Sequence, residues 1–310
     1  MPSSSHSSDT GGHQLPPATA LLAAFLCSLF GANPVALKVS LVGIGVFTAA
    51  GLRFGIAAVV LLSWAARTGI PLAVSRKQAA QLALLGVIIF TQISCFYYGQ
   101  SKTSASHGVL IGNLLPFVVM VMAHFLLPND RINPRKVIGL VLGFSGVLLL
   151  FVDRSTMAAH TLQGDLIILA GVVFWGCNVV YVKRITAGFH PIQITVYPMI
   201  FGVPLYLACG YFWDGGMIRA LSPAIVGGLL YQSLLMDSFG LVMWNTLLQK
   251  YGASTLHAFM FIMPISGVSF SLLLLGEPLT ANLLGAIALV TSGLLVINLG
   301  KRRTKATERS

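Results

Sequence analysis

Asp237 stands about midway along an apolar run, 223–248, where a carboxylate has few ways to exist. At lipid depth it must be neutralised by a proton or by a cation. Helical spacing puts it on one face with Trp244 and Asn245, a polar and aromatic stripe that could bind a proton or a substrate's amino group. Arg53 is the one arginine at comparable depth and the natural charge partner, although snorkelling to a helix end is its other use. Asn33 and Asn178 lie in apolar runs beside glycines, Tyr181 stands one turn from Asn178, and Ser94, Tyr97 and Tyr98 are assigned to one helix face. Aromatic hydroxyls suit a small zwitterion, because they cover its apolar part and hydrogen-bond its polar end. Plain packing is the simpler role for each of them taken singly. His257, with Met260, Phe261 and Pro264 on its face, and the similarly placed His107 could titrate on a path or could sit at helix ends. Lys38 and Lys183 read first as helix-end charges, and Glu277 as a residue stabilising the start of the last span.

These groups must be positioned by elements that live in lipid. With 56% hydrophobic and 9% charged residues over 310 positions, the chain cannot hide its apolar surface in one water-soluble core. A span needs roughly 20 apolar residues, and reading between charged or Pro/Gly-marked breaks gives ten, at about 18–39, 44–66, 78–99, 104–127, 136–152, 164–185, 191–212, 223–248, 253–275 and 281–299. The runs are continuous and rich in Gly, Ala and Leu, so an alternating barrel pattern fits poorly. The expected fold is an all-α integral membrane protein. Residues 1–17, rich in Ser, His, Gly and Pro with no Lys or Arg, lack the charged start of a secretory signal and are expected to be a disordered tail, and 301–310 a basic cytoplasmic tail.

The net charge of +11 raises nucleic acid as a partner, but the basic residues sit in short connections between spans. With a cytoplasmic N-terminus, fourteen fall in the inner connections and tail and four in the outer ones, so both termini are expected in the cytoplasm of an inner or plasma membrane. Cys27, Cys95, Cys177 and Cys209 all lie in apolar spans without C-x-x-C spacing and read as packing residues; no metal site and no cofactor is expected.

A short pattern occurs twice. Phe30-Gly31-Ala32-Asn33 before Lys38 matches Trp175-Gly176-Cys177-Asn178 before Lys183 at an offset of 145, and Ala105-Ser106 before Pro116 matches Ala253-Ser254 before Pro264 at 148. The repeats are set at 18–155 and 160–300, five spans each. An odd number inserts the second repeat in the opposite sense, so the two would be related by an axis in the membrane plane. Such halves can exchange inward-open and outward-open states of similar energy, as alternating access at a midplane site requires. Pro116 and Pro264, at matching positions in spans 4 and 9, mark paired interrupted helices that could gate a path.

Carried on these residues, the chain resembles the drug/metabolite transporter superfamily, specifically its ten-span EamA-like exporters. The likeness rests on Gly31-Ala32-Asn33 with Lys38, Leu52-Arg53-Phe54, Ala105-Ser106, Gly176-Cys177-Asn178 with Lys183, Gly252-Ala253-Ser254, and Gly276-Glu277-Pro278-Leu279-Thr280 with Gly285. In the first half Asp130 stands where the second has Glu277, preceded by Asn129 instead of a glycine and followed by one extra residue before Gly139. The resemblance implies export, and the inverted repeat with its polar and aromatic set at lipid depth points to small metabolites, most readily amino acids or related amphipathic compounds; a proton is a further candidate partner at Asp237, and the unit is a monomer or a homodimer. Drugs, nucleosides and sugar derivatives are carried on the same scaffold, and a passive facilitator would differ in saturation, counterflow and response to a proton gradient.

A membrane enzyme is the rival class. Gly267-Val268-Ser269 resembles a serine nucleophile turn, but His257 lies twelve residues earlier on the same run, roughly 18 Å away along a helix. Aspartyl chemistry needs two carboxylates at one site, whereas Asp237 stands alone at its depth. No H-E-x-x-H and no G-x-x-x-x-G-K occurs.

Overall fold

The computed structural model describes residues 16–126, 133–152, 159–251, 256 and 259–307. The helices are α1 (Pro17–Leu41), α2 (Val46–Thr68), α3 (Arg76–Lys102), α4 (Ala105–Gly112), α5 (Leu115–Leu126), α6 (Pro134–Val152), α7 (Ala159–Ile185), α8 (Pro191–Trp213), α9 (Pro223–Leu230), α10 (Leu241–Tyr251), α11 (Ile262–Leu275) and α12 (Ala281–Thr307). A π-helical stretch, Tyr231–Gly240, joins α9 to α10 without a break. Among the described residues there is no strand, only an isolated bridge between Ile44 and Ile218. Among the described residues eight helical segments are long and apolar enough to cross a membrane, and two more apolar stretches, Ile262–Leu275 and Ala281–Ile297, are shorter.

Local chemistry sets the ends. Ser75 and Gln78 form a reciprocal capping box at the start of α3, and His190 with Gln193 does the same for α8. α2 stops at Gly69, whose φ of 67° is open to glycine at no steric cost. The prolines fall where helices restart. α4 gives way at Asn113 and Leu114, and Pro116 is the second residue of α5, while Pro264 is the third residue of α11. A proline in a first turn removes no helical hydrogen bond, so these positions are true interruptions rather than kinks in continuous helices.

The main packing pairs each join the two halves of the chain: α1 with α11, α2 with α8, α3 with α7, and α6 with α12. Glycines permit the closest crossings. A Cβ on Gly31 would lie 2.6 Å from the Met263 carbonyl oxygen, and one on Gly293 would lie 2.7 Å from that of Gly139. One apolar core lies around α2 and α8 and another around α4, α5, α6, α7, α11 and α12. At the bundle end remote from the chain's termini, here termed distal, Asp214 caps α2 by accepting from the Phe47 and Thr48 amides at 3.1 and 2.8 Å. At the proximal end the Gln193 amide donates to the carbonyls of Pro71 and Ala73, both at 3.1 Å.

Candidate functional site

Within the bundle four elements converge on one buried polar network. The Arg53 guanidinium on α2 grips Asp237 of the π-helical stretch with two bonds, Nε to Oδ2 and Nη2 to Oδ1, both 2.6 Å. Its Nη1 donates to the Tyr97 hydroxyl of α3 at 3.1 Å, and that hydroxyl donates to Gln232 Oε1 at 2.8 Å. The Gln232 amide nitrogen donates to Ser40 Oγ on α1 at 3.1 Å. Arg53 is 5% exposed, Asp237 8% and Gln232 fully buried. Such a paired, bidentate arrangement is how two charges survive out of water, and it decides between the two uses open to Arg53: it pairs with Asp237 and does not snorkel.

The π-helical backbone changes which residues meet. Ser238 Oγ donates to the Ser233 carbonyl five residues back, at 2.9 Å, and Gln232, five residues before Asp237, joins it in one network. An α-helical face would separate these two by well over a quarter turn. The expected stripe of Asp237 with Trp244 is therefore not formed. Asp237 faces α2, whereas Trp244 packs edge-on against Phe30 of α1 with ring centroids 5.8 Å apart. The Asn245 side chain and His257 lie outside the described residues.

Tyr97 and Tyr98 also part company, as neighbours about 100° apart on a helix must. Tyr97 is 1% exposed in the network, while Tyr98 is 40% exposed beneath the Lys102 ammonium, 4.9 Å from its ring centroid. Among the described residues the Ser94 hydroxyl is buried without a hydrogen-bond partner. The two asparagines differ as well: Asn178 donates to Gln92 Oε1 at 3.1 Å, whereas the Asn33 side-chain oxygen is buried with no partner among the described residues. Tyr181 donates to the Gln81 carbonyl at 3.3 Å.

A second cluster occupies the distal end and was legible only in part. His107 on α4 pairs through Nδ1 with Asp165 Oδ2 of α7 at 2.8 Å, and the Thr103 hydroxyl donates to Asp165 Oδ1 at 2.5 Å. Glu277 does not serve its own helix. It reaches across to α4, accepting from the Ala105 amide at 2.6 Å, the Ser106 amide at 3.0 Å and the Ser106 hydroxyl at 2.6 Å, and Ser106 also bonds Ser271. Lys38 and Glu277 together edge a cleft of about 380 Å³ walled by Ile225 and Leu275. Asp165 was absent from the expected site. Its signal was an acid early in a span, opposite a histidine at the same depth of another.

The model of the EamA-like transporter family matches the chain twice, over residues 18–152 and 162–299. An uncharacterized transporter of Bacillus subtilis (strain 168), YyaM, is 30% identical over 269 residues, spanning 83% of this chain and 87% of the relative. A probable amino-acid metabolite efflux pump of Escherichia coli (strain K12) is 25% identical over 304 residues, with 93% and 97% covered. A crystal structure at 19% identity superimposes with a TM-score of 0.67 over 93% of this chain and 99% of its own, a likeness of fold. With apolar helices long enough to cross a bilayer several times and two family matches spanning nearly its whole length, the chain is a multi-pass membrane protein that belongs to the EamA-like transporter family.

Proposed function

We propose that this protein is a secondary carrier that exports amino acids or related small amphipathic metabolites across the inner or plasma membrane by alternating access. Ten spans form two inverted five-helix repeats, with both termini cytoplasmic and the distal end outside. The observation that carries the reading is a pair of repeat-related crossings. Gly31 of α1 packs on Met263 and Ser266 of α11, and Gly176 of α7 packs on Val118 and Met122 of α5. The offsets of 145 and 148 residues convert one crossing into the other. The packing pairs obey the same exchange: α1 with α11 becomes α7 with the α4–α5 segment, while α2 with α8 and α6 with α12 map onto themselves. A scaffold that can trade its halves can present one midplane site to either side.

At that site Arg53 and Asp237 supply the two charges that a zwitterion needs. An amino acid can replace their mutual pair by two intermolecular ones, its carboxylate on Arg53 and its amine on Asp237, so that opening the pair leaves no buried charge alone. Tyr97, and the Ser94 hydroxyl and Asn33 oxygen that have no partner among the described residues, are further polar contacts. Reconstitution of the full chain in liposomes with labelled amino acids, nucleosides and cationic drugs tests this reading. Saturable counterflow of one amphipathic class, abolished in Arg53→Lys and Asp237→Asn proteins that remain folded, is expected. Absence of saturable flux across the panel overturns the carrier, and wild-type flux in Asp237→Asn removes that residue from the site.

A further inference from the structure

The cleft at the distal end holds a cation that the network around Arg53 does not use. Val42 of α1, Ala224 and Ile225 of α9 and Leu275 of α11 wall it, Lys38 and Glu277 stand at its edge, and its volume is about 380 Å³. Helix periodicity explains the placement. Lys38 comes two turns after Gly31 and so continues the face of α1 that packs on α11. Ser40, two residues on, is turned by roughly 200° from Lys38 and bonds Gln232. α1 therefore stands between the cleft and the buried network, and the two share no residue. The two charges of the cleft differ in availability. Glu277 Oε1 accepts from the Ala105 amide, and Oε2 accepts from the Ser106 amide and hydroxyl, so this carboxylate is held on α4. Among the described residues no acid lies within ion-pair distance of the Lys38 ammonium, and Glu277 acts on it only through space.

We propose that this cleft is a second, outer binding site for a small aliphatic carboxylate, with Lys38 taking the carboxylate and Val42, Ile225 and Leu275 covering the alkyl part. Its place on the outside rests on the carrier reading above. An ammonium among aliphatic walls favours an anion that brings its own apolar body, because the ligand then satisfies the charge and the walls together. The volume lies at the small end of ligand pockets, which run from roughly 300 to 1,000 Å³, so it suits a molecule of amino-acid size. The two sites also differ in what they demand. Arg53 and Asp237 together need both charges of a zwitterion, whereas Lys38 needs the carboxylate alone, since the oxygens of Glu277 are already engaged. The outer site therefore accepts an amino acid and its amine-free analogue alike.

The test measures binding and not flux, so its failure is separate from failure of the carrier assay. The full chain in phosphatidylcholine nanodiscs is titrated with radiolabelled isocaproate, a branched carboxylate without an amine, by equilibrium dialysis against empty nanodiscs. Saturable binding that leucine competes and the neutral isocaproamide does not is expected. Lys38→Gln should weaken it by about tenfold or more, and Lys38→Arg should retain it. Ala224→Phe adds bulk to the wall from an exposed position, should weaken binding as well, and serves if Lys38→Gln fails to fold. Arg53→Lys should leave isocaproate binding as it is. Including phosphatidylglycerol at high salt, where surface charge is screened, should leave the affinity unchanged; displacement of isocaproate by that lipid makes the cleft a headgroup site and overturns the assignment. Absence of saturable binding, or wild-type binding in Lys38→Gln or Ala224→Phe, overturns it too. A site lost in Arg53→Lys and kept in Lys38→Gln overturns it while leaving the carrier reading intact, whereas Lys38-dependent binding in a protein without counterflow upholds the cleft and removes the carrier.

Discussion

The network around Asp237 and the cluster around Asp165 each bury an acid against a base from another helix, yet the bases are of different kinds. Within the bundle an arginine holds both carboxylate oxygens with a planar fork, and its remaining nitrogen donates to Tyr97 and Gln232. At the distal end a histidine makes one contact and a threonine hydroxyl the other. Guanidinium does not lose its proton in proteins, so the first arrangement can be exchanged only for another pair of charges. Imidazole can change charge where it stands. Only the first pair therefore matches the two charges of a zwitterion, as the proposed function requires.

The largest expected effect tests the fixed pair. Arg53→Leu leaves Asp237 buried without its cation and should lower unfolding stability by about 3–5 kcal/mol, read as a fall in the thermal midpoint in detergent. Arg53→Leu combined with Asp237→Leu should recover most of it. If the single and double variants are equally unstable, Arg53 acts through packing and not through its charge.

Next come changes where backbones or caps meet. Gly31→Ala puts a methyl group against the Met263 carbonyl and Ser266, at contacts of 2.6 and 2.5 Å, and should cost about 1–3 kcal/mol. Gly176→Ala meets only the side chains of Val118 and Met122, at 2.8 and 2.9 Å, which can turn aside, so the same thermal melts should show a smaller loss. Equal losses would mean that the two crossings are equally rigid. Glu277→Ala strips two amides and a hydroxyl at α4 and should cost about 1–2 kcal/mol. Glu277→Gln, which keeps acceptor oxygen, should cost less.

How much of this could be read from residues alone depends on whether the information was periodic. The apolar runs, the duplicated Gly-x-Asn pattern and the matching prolines are local and repeated, so the helical class was visible without coordinates. Arg53 and Asp237 were visible as partners because at lipid depth each needs the other. The Asp237–Trp244 face was not formed, because π-helical turns re-aim everything after Tyr231 and no residue in that stretch announces them. Tyr98 was misplaced by grouping adjacent residues on one face. The reach of Glu277 to α4 and of Asp165 to His107 joins residues 172 and 58 positions apart, and side-chain spacing carries no record of such tertiary contacts.

The smallest stability effect, that of Asn33→Leu, is also the most telling about function. Asn178→Leu should cost about 1–3 kcal/mol, because it strands the Gln92 side-chain oxygen in a buried position. Asn33, its counterpart 145 residues earlier, already has a buried oxygen with no partner. Replacing an acceptor whose desolvation nothing compensates should leave the thermal midpoint unchanged or raise it slightly. If that oxygen serves the transported molecule, as the proposed function has it, Asn33→Leu should depress counterflow in liposomes while the protein melts like wild type. The two asparagines are thus separable by a pair of measurements on each variant. If Asn33→Leu destabilises the protein as much as Asn178→Leu does, Asn33 has a structural partner; if it changes neither melting nor flux, it does not touch the transported molecule.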